Sequence, residues 1–217
     1  MVKYLGRRED YGQQALDEFE VHADPIRQFS LWLTDADRAG IFEPNAFVLG
    51  TVDSSSKPTA RTVLLRGVDD SGFYFYTNYQ SRKGQAIESF PEAASVSMVF
   101  GWYSQYRQVL IEGTVQRVNP AESDAYFNTR PRDSQIAAWA SHQSQPIQDR
   151  ETLDAKYHQF QEQYATGDVP RPDHWGGYRI VPTRIEFWKG RSNRMHDRIE
   201  FLRAEPSRPW QIRRLQP

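Results

Sequence analysis

The chain has no cysteine among its 217 residues. Disulfides, thiolate metal sites and cysteine nucleophiles are therefore excluded. Net charge is nearly absent as well: 27 Lys and Arg stand against 28 Asp and Glu, a formal balance of −1. That balance argues against a nucleic-acid partner. No apolar run is long enough to cross a bilayer, so no membrane partner is expected. Low-complexity tracts and internal repeats are missing too. The segment 1–8 lacks the apolar centre of a signal peptide, and a cytoplasmic location is expected. There is no Walker loop, dinucleotide glycine fingerprint, nucleophile elbow or zinc-binding helix. The five histidines, at 22, 142, 158, 174 and 196, have no metal-ligand spacing, and no metal is expected.

What the chain does have is charge in clusters. Arginines gather at 61–82, 130–132 and 191–198, while acids gather at 17–20 and 149–154. Local arginine clusters in a neutral chain suit small anionic ligands. The stretch Arg61–Lys83 concentrates this chemistry. Arg61-Thr-Val-Leu-Leu-Arg66 and Phe73-Tyr-Phe-Tyr-Thr-Asn78 read as two strands of a β-hairpin around the turn residues 68–72. Ser81 follows as the N-cap of a helix that ends near Pro91. Arg82 and Lys83 occupy that helix's first turn, where the macrodipole disfavours cations. An anion bound at the strand–helix join would offset that cost. A solvated basic helix start is the competing interpretation.

One domain is expected over 24–217, mainly β with flanking helices, preceded by a polar and mobile arm at 1–23. Asp24-Pro25 opens a helix whose buried face is Ile26, Phe29, Leu31, Trp32 and Leu33. Strands are expected at 46–52, 61–66, 73–78, 93–102 and 106–118. Later ones are expected at 178–180, 184–188, 198–202 and 210–212, after helices at 120–130, 133–140 and 149–165. The first five, tightly linked, suggest an antiparallel sheet curled into a barrel. Arg61 and Arg66 are five apart, so a regular strand sends them to opposite faces. They can share a ligand only if the strand bulges or ends between them.

Two further clusters carry chemistry. Tyr126, Arg130 and Ser134 fall at i, i+4 and i+8, one face of a continuous helix and a good phosphate cradle. Pro131 weakens that continuity, and a polar helix face is the alternative. Arg194, His196 and Arg198 alternate on one side of an extended segment, where they repel one another unless an anion or acid joins them. Asp197 would face the other way, and a solvated hairpin is the alternative.

Trp175-Gly-Gly-Tyr-Arg179, Ile185-Glu-Phe-Trp-Lys-Gly190 and Arg194-Met-His-Asp-Arg198 together resemble the signature of the pyridoxine/pyridoxamine 5′-phosphate oxidases. Further motifs follow in the family's order. They are Arg61–Arg66, Phe75–Asn78, Ser81–Lys83, Arg107-Gln-Val109, Arg130-Pro-Arg-Asp-Ser134-Gln and Ser141-His-Gln-Ser144. The resemblance covers nearly everything from Asp24 to Pro217. It implies an FMN-binding split β-barrel and a homodimer with FMN at the subunit interface. It also implies FMN contacts from Arg61, Arg66, Tyr76, Thr77, Arg82, Lys83, Gln108, Gln143, Ser144, Trp188 and Arg198. The substrate, a small phosphorylated pyridine, would place its phosphate against Arg66, Tyr126, Arg130 and Ser134. Its ring would meet Arg194 and His196, the expected catalytic residues. The arm would close over it through Arg8 and Tyr11, and Glu43 would line the pocket.

The chain departs from the family's pattern at Arg66, where Lys is usual, and at Met195, where Leu is usual. The arm, Arg7-Arg-Glu-Asp-Tyr11, matches only in part. The implied activity is oxidation of pyridoxine or pyridoxamine 5′-phosphate to pyridoxal 5′-phosphate, with oxygen as acceptor. The rival readings are another split-barrel flavin reductase and a non-catalytic pyridoxal phosphate binder.

Overall fold

The computed structural model describes residues 11–12, 14–90, 92 and 94–217. Arg8 lies outside them. Nine strands and five α-helices follow in order: α1 (Pro25–Arg38), β1 (Ala46–Val52), β2 (Pro58–Leu64), β3 (Gly67–Asp69), β4 (Gly72–Asn78), α2 (Arg82–Glu88), β5 (Ala94–Trp102), β6 (Arg107–Arg117), α3 (Pro120–Asn128), α4 (Arg132–Ala140), α5 (Arg150–Gln163), β7 (Trp175–Lys189), β8 (Asp197–Leu202) and β9 (Gln211–Leu215). The mainly-β class with flanking helices is as expected. Seven strands run in the order β2-β1-β5-β6-β7-β4-β3; β8 pairs with β7, and β9 with β8. No helix among the described residues is long and apolar enough to cross a membrane.

The chain divides into two compact units. The first comprises 1–48, 97–112 and 182–217, the second 49–96 and 113–181. In the first, α1 starts where Asp24 accepts a hydrogen bond from the Ile26 N–H and Pro25 fills the first turn. It buries Ile26, Phe29, Trp32 and Ala36, whereas Leu31, expected inside, is exposed. Phe29 packs edge-on to Phe100, and Trp32 to Phe187. Burial of such rings is the main source of stability here.

Several strands differ from the sequence reading. The expected hairpin between 61–66 and 73–78 is instead formed by β3 and β4. A two-residue loop, Asp70-Ser71, pairs Asp69 with Gly72 and fixes Val68 opposite Phe73. Asp69 accepts hydrogen bonds from the Ser71 and Gly72 N–H groups. The strand carrying Arg61 ends at Leu64 and neighbours β1. Just beyond it, the Arg66 N–H donates to the Tyr74 carbonyl of β4. The two strands expected at 178–180 and 184–188 are one, β7. It pairs with β4 over 175–180 and with β8 over 184–189. Pro182, which has no N–H for a ladder, falls between the two pairings.

Residues 194–198 are not one extended segment. Ser192–Arg194 form a 3-10 turn in which Asn193 and Arg194 take φ of 57° and 61°, and β8 begins only at Asp197. The continuous helix face for Tyr126, Arg130 and Ser134 is also absent. α3 ends at Asn128, and Pro131 stands at the N-cap of α4 because it cannot donate to the preceding turn.

Candidate active site

In the second unit, a cavity of about 560 Å³ is lined by Arg61, Arg66, Tyr76, Thr77, Arg82, Lys83, Gln143 and Ser144, together with other β2 residues. These are eight of the eleven expected FMN contacts. Among the described residues no Asp or Glu lines it. Arg61 is pinned by neutral oxygens: it donates to the Leu49 carbonyl at 2.9 Å, to Thr51 Oγ1 at 2.8 Å, and to Thr59 Oγ1. Lys83 is buried at 8% exposure, while its neighbour Arg82 is exposed. The Lys83 ammonium donates to Gln143 Oε1 at 2.9 Å, Thr77 Oγ1 at 3.1 Å and Ser81 Oγ at 3.3 Å, all uncharged. Burial, helped by the Arg61 charge, pushes its pKa down to about 8. Ser81 caps α2 as expected, accepting from the Gly84 N–H.

The strand's end at Leu64 resolves the parity problem. Arg61 and Arg66 line the same cavity because the chain leaves β2 between them. Arg66 also lines a second cavity of about 270 Å³, with Tyr76, Thr77, Asn78, Tyr126, Arg130, Ala137, Ala138, Ser141, Gln143 and Trp175. Tyr126 and Arg130 are therefore brought together, but Ser134 is not among the lining residues. The last turn of α4 and Ser141 stand there instead. Arg130 Nη1 is buried without a hydrogen-bond partner. Burial first, then the Arg66 charge, lowers the Arg130 pKa.

A cavity holding four cationic side chains and no carboxylate fits a bound dianion, and the Lys83 ammonium facing only neutral oxygens fits it specifically. The chemistry of these donors therefore suits the phosphate end of FMN.

The remaining expected residues belong to the first unit and line neither of these cavities. Gln108 lies half-buried on β6. Trp188 on β7 packs at 4.7 Å between ring centres on His196, and Tyr11 lies 5.6 Å from His196 and 6.2 Å from Trp188. His196 Nδ1 accepts a hydrogen bond from the Arg191 N–H at 3.1 Å. In the neutral ring the proton therefore sits on Nε2. Burial, and then the Arg194 charge, lowers the His196 pKa against a smaller opposing pull from Asp197.

Arg198 is held by an acid that lies far off in sequence. Its Nε and Nη2 donate to the two oxygens of Glu186 at 2.7 and 3.0 Å, and its Nη1 to the Gln216 carbonyl at 3.1 Å. Asp197 also has partners: it accepts from the Leu16 N–H and from Arg191 and Arg214. Arg194 is exposed in its turn. Glu43, at φ 45°, lines neither cavity. Three contributors escaped the sequence reading as site residues: Trp175, Asn78 and Glu186. All three stood inside recognised motifs, and only the folded sheet reveals what they touch.

Fold and site together define a mainly-β protein with two cationic cavities that share part of their lining, a chemistry suited to phosphorylated ligands. Residues 33–164 match the family model described as "Pyridoxamine 5′-phosphate oxidase". Residues 175–217 match "Pyridoxine 5′-phosphate oxidase C-terminal dimerisation region". The chain belongs to the pyridoxamine 5′-phosphate oxidase family. It is 50% identical over 212 residues to the pyridoxine/pyridoxamine 5′-phosphate oxidase of Rubrobacter xylanophilus, covering 98% of this chain and 95% of that one. It is 46% identical over 217 residues to the protein of that name from Cupriavidus necator, covering all of both. Among solved structures it resembles PhzG from Burkholderia lata 383, crystallised with tetrahydrophenazine-1-carboxylic acid. The TM-score is 0.86 at 29% identity, over 95% of this chain and 100% of that one. A pyridoxamine 5′-phosphate oxidase-related, FMN-binding protein from Nostoc punctiforme shares the fold at TM-score 0.70 and 14% identity, over 91% and 100%.

Proposed function

We propose that the chain is an FMN-dependent oxidase converting pyridoxine 5′-phosphate or pyridoxamine 5′-phosphate to pyridoxal 5′-phosphate, with oxygen as the final acceptor. Family membership gives the reaction class. The observation that carries the substrate reading is the pair of cavities sharing Arg66, Tyr76, Thr77 and Gln143, both lined by cations and, among the described residues, by no carboxylate. One suits the phosphate of FMN, the other the phosphate of a substrate.

When bound, FMN would supply the redox chemistry, as a two-electron acceptor from the substrate that oxygen can reoxidise. The chain's own residues bind and orient. Arg61, Arg82 and Lys83 neutralise the flavin phosphate, and Gln143 keeps the Lys83 ammonium in place. Arg66, Tyr126 and Arg130 hold the substrate phosphate. Fixing that remote group spends binding energy on placing the reacting carbon. His196, with its proton on Nε2, donates toward the substrate's ring oxygen, and Arg194 favours negative charge there. Gln108, Ser144, Trp188 and Arg198 complete the flavin contacts. The dimerisation-region match supports a homodimer, and in this reading FMN lies at its subunit interface.

The test is the absorbance spectrum of the purified protein with pyridoxamine 5′-phosphate, without and then with air. A yellow protein that bleaches anaerobically and releases peroxide on aeration is expected. A colourless protein that binds pyridoxal phosphate would mark a carrier. A yellow one inert to both substrates would mark a reductase of another kind.

A further inference from the structure

Trp175 begins β7 and pairs with Asn78 of β4. Its indole is buried beside Phe127, Ile136, Ala138 and Val169, which alone would describe a core residue. Two contacts go further. Tyr76, Tyr126 and Trp175 form a set of nearly parallel rings. Tyr76 and Tyr126 lie 3.8 Å apart at 16°, and Tyr126 and Trp175 6.2 Å apart at 5°. The Arg130 guanidinium carbon sits 4.4 Å from the centre of the Trp175 ring, closer than its 5.5 Å from Phe127.

Arg130 needs such a contact. Among the described residues no carboxylate forms a salt bridge with it, and its Nη1 is buried without a hydrogen-bond partner. A buried, unpaired guanidinium N–H is costly, and the side chain would turn to solvent unless something held it. An aromatic face attracts the cation without occupying any of its N–H groups. Those groups stay available to an anion in the cavity that Arg130, Tyr126 and Trp175 line together.

We infer that Trp175 is a positioning residue for the substrate phosphate: its ring face holds the Arg130 guanidinium with unpaired N–H groups aimed into the cavity, and its stacking on Tyr126 fixes the phenol beside it. This rests on the reading of that cavity as the substrate-phosphate site. Trp175 touches no phosphate itself. It acts through Arg130, so its effect depends on Arg130 being present.

The experiment uses the FMN-loaded protein, so that added inorganic phosphate titrates only the second cavity. Phosphate affinity is measured by calorimetry for wild type, Trp175→Leu, Trp175→Phe, Arg130→Ala and the Arg130→Ala/Trp175→Leu double variant. The Michaelis constant and turnover with pyridoxamine 5′-phosphate are measured beside it. Trp175→Leu should weaken phosphate binding about three- to thirtyfold, the range of a cation–π contact. It should raise the Michaelis constant similarly while turnover stays within about twofold. Trp175→Phe, which keeps an aromatic face, should recover most of the loss. In the Arg130→Ala background, Trp175→Leu should change phosphate affinity by less than about twofold.

An equal loss in both backgrounds would mark a packing defect and overturn the inference. So would unchanged affinity in Trp175→Leu when Arg130→Ala loses it. If Trp175→Leu does not fold, Trp175→Met, which fills the space without an aromatic face, decides the same question in the two backgrounds. Phosphate affinity unchanged by Arg130→Ala would instead remove the cavity reading on which the inference rests.

Discussion

Lys83 and Gln143, sixty residues apart, meet at 2.9 Å, the ammonium donating to an amide oxygen where an ion pair would ordinarily stand. A buried lysine with only neutral partners gives up its proton early, and its pKa falls to about 8. The sign matters for stability. Between about 8 and the ordinary value of 10.5 the unfolded chain holds a proton that the folded chain has released. The flavin-free protein therefore gains stability as pH rises through that window. A bound phosphate reverses this by favouring the charged ammonium. FMN binding at pH 8.5 should therefore take up a fraction of a proton, read by calorimetry in two buffers of different ionisation enthalpy. Lys83→Arg should abolish the uptake. Equal heats in both buffers for wild type would contradict the assignment.

Glu186 and Glu200 stand directly opposite each other on β7 and β8, both almost fully buried. Arg184 donates to both, Arg198 to Glu186, and Arg213 to Glu200. Burial alone would raise the Glu200 pKa, but hydrogen bonds from Arg184 and Arg213, and their charges, take it below 4.5. Its contribution is therefore full above about pH 4.5 and is lost as pH falls through the lower folded value. Glu200→Gln should cost about 3 kcal/mol at pH 7 in urea unfolding at fixed protein concentration. The gap to wild type should narrow below pH 4. A gap independent of pH would contradict the electrostatic origin.

Gly72 takes φ of 140°, and a Cβ there would sit 2.1 Å from the Ile180 carbonyl oxygen. Backbone of β7 blocks the space, so no side-chain adjustment relieves it. Gly72→Ala should destabilise the β3–β4 hairpin by more than the ~1 kcal/mol of an ordinary glycine substitution. Thermal unfolding of the variant checks this, and an unchanged midpoint would contradict it.

Arg194 and His196 are expected to act on the substrate ring. Arg194→Ala and His196→Ala should lower turnover with pyridoxamine 5′-phosphate by tenfold or more while bound flavin stays near wild type. Steady-state kinetics with flavin content measured on each sample checks it. Full turnover with unchanged Michaelis constants would return residues 191–198 to a solvated turn.

The elements were largely legible from pattern and caps: Asp24-Pro25, Ser81 and Pro120 each mark a helix start where their chemistry says one should be. Pairing was less legible. Nothing local says that β2 neighbours β1 while β3 takes β4, because that depends on where the chain leaves the strand after Leu64. The cavity-lining residues of the second unit were readable because arginine, lysine and amide side chains recur within named motifs. Ser134 failed as a cavity residue because Pro131 ends the helix on which its spacing was counted. Trp175 looked like core, and the Glu186 partner of Arg198 lies twelve residues away across a strand pair. Such contacts exist only once the sheet is formed.

The central claim is that the cavity of Arg61, Arg82 and Lys83 holds a flavin by its phosphate. The direct measurement is titration of flavin-free protein with FMN and with riboflavin, followed by flavin fluorescence, in wild type and in the Arg82→Ala/Lys83→Ala variant. Riboflavin should bind the wild type at least about a hundredfold more weakly than FMN, from two or more charged hydrogen bonds lost. The variant should lose most of that preference. Equal affinity of the wild type for FMN and riboflavin would contradict the claim.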